Sequence, residues 1–322
     1  MAYSSGGLIQ ATDYNGFVST TAGANVNDIW STGSGDKGWG QSALSTVSAL
    51  GTVTATNWAS LVNTLSSMGS QTGTTLTART APTTGTLIAV LAALNTDLTN
   101  ITANRNNAVA VGSQFTGYTG VNSKLLATSG ATWTITFTNT VTFASAAAAR
   151  HFFNGGGLIK LQTSKTATGA LGDPEWNDLA NTLAGAIYFS GAAAAHTIAA
   201  VSYTGTTKIG GTGTPSTLST ATGFYALTPG AAATIIYKQF ADTVPYTSNF
   251  IQHSVALDAG STTLTFTTLW SASDGDPISG GTASSGATPG TAPTTICTYT
   301  PPSGTYLTTA SWGTPTVLSA TV

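Results

Sequence analysis

The chain has 322 residues, 41% of them hydrophobic, and a formal net charge of -2, so it is long enough to bury a sizeable core; only 6% of its residues are Asp, Glu, Lys or Arg, against about 25% in an ordinary soluble protein. Its nine Lys and Arg are scattered singly, which excludes the basic stripe that grips nucleic acid. Cys297 is the only cysteine, which excludes an intrachain disulfide and a cysteine-built zinc site.

Solubility therefore falls to Thr, Ser, Asn and 37 glycines, short neutral residues suited to strands and tight turns. Surfaces of that kind pack on copies of themselves without desolvating charge. The composition fits an extracellular or assembled structural protein better than a cytosolic enzyme.

The first stretch, MAYSSGGLIQ, has neither a basic start nor an apolar h-region, so no secretory signal is expected and release by cell lysis fits. A weakly helical segment follows, with Thr12 or Asp13 as the expected N-cap. Next comes NDIWSTGSGDKGWGQ, in which Gly33, Gly35 and Gly38 spell G-x-G-x-x-G, the dinucleotide fingerprint. That chemistry needs a preceding strand, a following helix N-terminus and an acidic ribose ligand about 20 residues on. The upstream sequence has no Val or Ile run, Trp39 sits where a phosphate loop needs small residues, and no acidic residue lies between Lys37 and Asp97. A loop packed around Trp30 and Trp39 is expected in place of a nucleotide site.

Thr54 introduces an amphipathic helix with Trp58, Leu61, Val62, Leu65 and Met68 on one face and Gly69 as the expected stop. Leu87, Leu91, Leu94, Leu98 and Ile101 then form an a/d-like seam of about two heptads. The seam closes either an antiparallel helix pair within one subunit or a dimeric or trimeric contact between copies. Its LIAVLAAL core, Leu87 to Leu94, is far short of a membrane span.

From Trp133 the period changes to two. Trp133, Ile135 and Phe137 alternate with threonines, a turn is expected at Asn139, and Val141 and Phe143 continue the pattern. Alternation recurs at Ile251 to Leu257 and Leu264 to Trp270, with DAGS, Asp258 to Ser261, as the turn between them. One helix is expected between these strands, capped by Asp173, opened by Pro174, and burying Trp176, Leu179, Leu183 and Ile187. IGGTGTPSTLSTATG and ISGGTASSGATPGTAP read as low-complexity loops, and the C-terminal stretch as one or two strands broken by Pro302 and Pro315. The sum is an α+β chain: a helical attachment or oligomerisation region over residues 1-125, then a mainly antiparallel β-sandwich-like region over 126-322 with one inserted helix.

No catalytic set emerges. No serine has the G-x-S-x-G context and H-E-x-x-H is absent. His151, His196 and His253 are far apart, and a packed or surface role is expected for each. Asp173, Glu175 and Asp178 could serve glycoside hydrolysis but are better explained as helix N-terminal charges. Asp274 and Asp276 in SDGDP could offer oxygen to calcium, but no twelve-residue ligand loop surrounds them, and a solvated turn is expected. Catalytic, cofactor and metal residues are accordingly expected to be none.

Several segments together, GGLIQATDYNGF, NDIWSTGSGDKGWGQ, VTATNWASLVNTL, RHFFNGGGLIKL, the Trp176 helix and TSNFIQHSVALDAGSTTLTFTTLWSASDGD, resemble a family of tailed-bacteriophage virion structural proteins, often described as tail fibre or structural protein. RTAPTTG and the low-charge loops depart from the family pattern. The resemblance implies a role in the virion as an appendage, collar or decoration subunit, with copies of itself and other virion proteins as partners; from the scattered charges and the short apolar run, nucleic acid and a membrane are not expected as partners. A rival expectation is a receptor- or glycan-binding module whose groove is lined by Tyr203, Tyr225 and Tyr246; a third, a polysaccharide-degrading enzyme, would need Asp178 across a cleft from a second carboxylate.

Overall fold

The computed structural model describes residues 10–19, 25–85, 94–113, 122–123, 132–167, 173–272 and 292–321. The chain is α+β, with helices first and mostly antiparallel sheets after them.

Four helices lead: α1 (Ala11–Val18), α2 (Val26–Trp30), α3 (Ala55–Thr72) and α4 (Leu94–Ala103). Gln10, not Thr12 or Asp13, is the N-cap of α1; the Asp13 carboxylate reaches back to accept its N–H at 2.8 Å, the reciprocal half of a capping box. On α3, Thr54 Oγ1 accepts the Asn57 N–H at 3.3 Å while Asn57 Oδ1 accepts the Thr54 N–H at 2.9 Å. The helix runs through Gly69 and ends at Gly73, which takes the left-handed φ of +68°. A Cβ on Gly69 would sit 2.7 Å from Leu76, so this glycine makes room for the returning chain and does not stop the helix. Leu87 and Leu91 lie outside the described residues; Leu94, Leu98 and Ile101 are buried in the chain's own core beside Trp58 and Leu61.

Thirteen strands follow among the described residues. They are β1 (Asn122–Ser123), β2 (Trp133–Thr142), β3 (Leu158–Ser164), β4 (Ala186–Phe189), β5 (His196–Ile198), β6 (Val201–Tyr203), β7 (Thr206–Ile209), β8 (Thr217–Leu218), β9 (Thr234–Phe240), β10 (Phe250–Leu257), β11 (Thr263–Ala272), β12 (Thr294–Thr300) and β13 (Thr316–Thr321). One sheet has the order β1-β12-β3-β4-β7, a second β13-β2-β11-β10-β9-β8, and β5-β6 form a small hairpin; every named pair is antiparallel.

The turn expected at Asn139 does not exist. β2 pairs with β11 without a break from Trp133↔Ala272 to Thr142↔Thr263, and Asn139 takes an inward slot opposite Phe266. Alternation that persists through a residue keeps it in the strand, whatever that residue's turn preference. DAGS does turn the chain: Asp258 Oδ1 accepts the N–H groups of Thr262 and Thr263, both at 2.7 Å.

Two helices, not one, lie between the strands. The unexpected one is α5 (Ala146–Asn154), capped by Ser145 Oγ, which accepts the Ala148 N–H at 3.1 Å. The other is α6 (Asp173–Asp178), which continues into a π-helical turn over Leu179–Leu183. Ile187 is not on its face but on β4, because Gly185, at a φ of +71°, ends the helical run first.

The two large sheets share a core. Phe189 of β4 meets Phe266 of β11 edge-on at 5.4 Å. At one end α5 inserts Phe152 and Phe153 against Phe143 and Phe189, and Phe153 stacks on Phe224 at 4.7 Å. At the other end Trp176 of α6 packs between Trp133 at 4.8 Å and Trp270 at 5.7 Å. Burying one such ring removes roughly 150–250 Å² from water, a few kcal/mol at about 25 cal/mol per Å². One continuous cluster joins Tyr14 and Trp58 of the leading helices to Phe152 and Phe266.

Candidate functional site

The glycine loop is preceded by α2, a helix, and no helix begins between the loop and Ala55. It therefore has neither the strand nor the helix N-terminus that a pyrophosphate requires. Its glycines answer to the chain itself. A Cβ on Gly33 would lie 2.4 Å from Asp28 O, and one on Gly38 2.2 Å from Thr32 O; their φ angles are +56° and +92°. Backbone presses on backbone across the loop, and only glycine fits both the space and the left-handed angle. The loop closes as the N–H groups of Trp39, Gly40 and Gln41 donate to Ile29, Ser31 and Trp30 at 2.8–2.9 Å. Trp39 then packs edge-on against Trp30 at 6.3 Å, as the sequence predicts.

Polar groups from distant segments converge on this loop. Lys37 Nζ donates to Asp28 Oδ2 at 2.7 Å, Arg105 Nη2 to Asp36 Oδ2 at 2.7 Å, Arg150 Nη2 to the Thr32 carbonyl at 2.6 Å, and Asn154 Nδ2 to the Gly38 carbonyl at 2.9 Å. Gln41 spans to the C-terminal part, donating to Thr308 O at 3.2 Å and accepting the Thr308 N–H at 2.7 Å. The loop is a clasp that ties α2, the turn after α4, α5 and the segment before β13 together. None of these partners is legible in the sequence, since Arg150 and Asn154 lie more than a hundred positions from what they hold.

The three histidines are not brought together. His151 packs over Gly40 with Nδ1 3.2 Å from Ser311 O, and burial holds its pKa below the ordinary value. His196 lies in the β5-β6 hairpin against Tyr203, its pKa also lowered by burial. His253 faces inward on β10, with Nδ1 2.8 Å from Thr268 Oγ1 and its ring stacked on Tyr237; complete burial lowers its pKa to about 3. Each is neutral and packed near pH 7.

Glu175 is not an exposed helix-end charge: its residue is 6% exposed and Oε1 has no hydrogen-bond partner. Desolvation raises its pKa; hydrogen bonds from Thr243 oppose that rise, and Asp178 and Asp242 add to it. The Asp173 side chain, and Asp274 and Asp276, lie outside the described residues. No group of three metal-ligating side chains occurs among the described residues. Cys297 is fully buried and its thiol is pushed up to about 12, which makes it unreactive.

The three tyrosines do not share a groove. Tyr203 is buried under the hairpin, at 7% exposure. Tyr225 lines a shallow groove with Arg150, Phe224, Leu227, Pro229 and Leu257, at the C-terminal end of β10, whereas Tyr246 precedes the N-terminal end of that strand. Tyr225 itself is committed inward, donating to Asn154 Oδ1 at 2.7 Å. No described helix is long and apolar enough to cross a membrane. No family model matches the chain, and neither a curated protein nor a solved structure matches it.

Proposed function

We propose that this chain is a non-enzymatic structural component of a tailed-bacteriophage virion, a tail fibre, collar or neck appendage, or capsid-decoration subunit. The carrying observation is where its few charges stand. Asp28, Lys37, Asp36, Arg105, Arg79 and Asp97 are consumed in ion pairs inside the chain. Of the six-stranded sheet, strands β2, β8, β10, β11 and β13 carry no Asp, Glu, Lys or Arg at all, and β9 carries only Lys238. A subunit that packs against neighbours benefits from such a surface, because no ion must be stripped of water at the contact. The segments that resemble the phage family fall on α1, the α2 clasp, α3, α5 with β3, α6, and β10 with β11, elements that make up much of the frame of the molecule.

Immunogold labelling of purified phage particles tests this reading. Gold at one fixed place on the virion is the expected result; intact, accessible particles without gold overturn it. A second reading, a glycan-binding tip module, draws on the groove beside Arg150 and Tyr225. A glycan array on the wild type and on Arg150→Ala separates the two, with binding that depends on Arg150 favouring the second.

A further inference from the structure

The six-stranded sheet has one face in the core and one outside. Along β2 the odd-numbered residues are buried, so Thr134, Thr136, Thr138, Thr140 and Thr142 point outward. Register places Thr140 beside Thr265 and Thr138 beside Thr267 on β11, and the outermost rung, Thr142 with Thr263, joins hydroxyl to hydroxyl at 3.2 Å. β10 continues this face with Gln252, Ser254 and Ala256, and β13 adds Leu318, which is 63% exposed. On β9, Ile235 is 44% exposed. Apolar residues thus flank a threonine field from both sides.

Lys238 is the sole charged residue that β2, β9, β10, β11 and β13 place on this face, and it is occupied. Its Nζ lies 3.7 Å from the Phe250 ring centroid and 4.5 Å from that of Phe240, a double cation–π clamp that holds the ammonium against the sheet.

We infer that this outer face is the surface through which two copies of the chain stack, sheet on sheet. Three arguments select a second copy as the occupant. A charged partner finds nothing to pair with beyond a cation already engaged, whereas an identical face is equally neutral, so stacking sets no charge field against another. Thr, Ser and Ala lose little rotamer freedom on burial, unlike the Lys and Glu of an ordinary sheet exterior. Five strands of six to ten residues, with the two-residue β8 at the edge, span a field of roughly 28 by 24 Å, near 700 Å², at about 3.4 Å per residue and 4.8 Å per strand; a stable interface takes about 800 Å² from each partner. Two such faces would pack about 10 Å apart, as the sheets of a sandwich do. The inference deepens the self-assembly part of the virion proposal, but it rests on the sheet itself and can succeed or fail whatever the gold labelling finds.

Sedimentation velocity of the full chain over a wide concentration range reads it directly. Wild-type protein is expected to self-associate, and the Thr138→Lys/Thr267→Lys variant to do so roughly a hundredfold or more weakly, because the stacked faces would then set like charges against each other. Wild type that stays monomeric at its highest soluble concentration overturns the inference, as does association that ignores the lysines. Should the lysine variant misfold, Thr267→Cys carries the test, since Cys297 is buried and silent to thiol reagents. Labelling at Thr267→Cys should slow as concentration rises, while labelling at Gln162→Cys, exposed on the other sheet, should not. The reverse pattern would assign the contact to the wrong sheet and sink the proposal.

Discussion

The glycine clasp and the outer face of the six-stranded sheet are opposites built from one composition. Within the clasp, Asp28, Lys37, Asp36, Arg105 and Arg150 each hold a specific partner. On the sheet face a single lysine stands among threonines and is itself covered by two phenylalanines. In most proteins charge lies outside and keeps copies apart. Here the few ions are joints of the fold, and the exterior of the longest strands is left neutral. The difference teaches that scarcity of charge does not mean absence of electrostatic structure: removing an ion should damage folding, while adding one to the sheet should damage only association.

The largest expected effect sharpens the clasp side of that contrast. Gly38→Ala places a methyl group into the Thr32 carbonyl, in a left-handed conformation, so a loss of several kcal/mol or no folded protein at all is expected. Gly35→Ala meets nothing within 4 Å and should cost only about 1 kcal/mol for its φ of +57°. Urea denaturation of the two variants compares them; equal losses would mean that the loop is not backbone-packed.

Next comes the buried pair Arg79–Asp97, whose side chains are 7% and 4% exposed. Asp97 also accepts from the Thr77 amide and hydroxyl at 3.2–3.3 Å. Asp97→Ala should cost about 3–5 kcal/mol by stranding the guanidinium. The double variant Arg79→Met/Asp97→Leu should recover much of that in the same denaturation assay; no recovery would show that Thr77 and not the ion pair carries the energy.

pH probes the buried titrating groups. His253 has its folded pKa depressed to about 3 from an ordinary 6.5, so its contribution is present above pH 6.5 and is lost as pH falls toward 3, on the order of 5 kcal/mol in all. Glu175 acts with the opposite sign. Its raised folded pKa means that its contribution is full below the ordinary carboxylate value and declines as pH rises through the folded one. Melting curves from pH 3 to 7 should show a steep acid limb that flattens in His253→Leu, while Glu175→Gln should gain stability at pH 7 and not at pH 4.

The smallest effects concern turns and the open face. Ala199 and Ala200 turn the β5-β6 hairpin at φ angles of +47° and +66°, positions that Asn-Gly fills without strain. Ala199→Asn/Ala200→Gly should add about 1 kcal/mol. Thr140→Lys on the sheet face should change stability by no more than about 0.5 kcal/mol; a larger loss in thermal melting would break the contrast by showing that the threonine field supports the fold itself.

Much of the frame was legible along the chain. Period-two runs located β2, β10 and β11, the Thr54 cap and the Trp58 face located α3, and the missing strand and ribose ligand removed the nucleotide from the glycine motif. α5 was not legible, because AAAARHFF is short and draws its stability from Phe152 and Phe153 entering a core assembled by other segments. Asn139 misled because its turn preference is local and weak beside ten consecutive strand pairings. Among the candidate site residues, the sequence kept the histidines apart but could not bury Glu175.

What the sequence by itself determined is the class: α+β, sparse in charge, with alternating strands whose outward positions are threonine. These follow from composition and period, which act residue by residue. Only the tertiary structure decided which glycines face backbone, which carboxylates meet which cations and which threonines stand side by side. Those outcomes depend on register and on contacts between segments a hundred or more residues apart, which neither propensity nor spacing encodes.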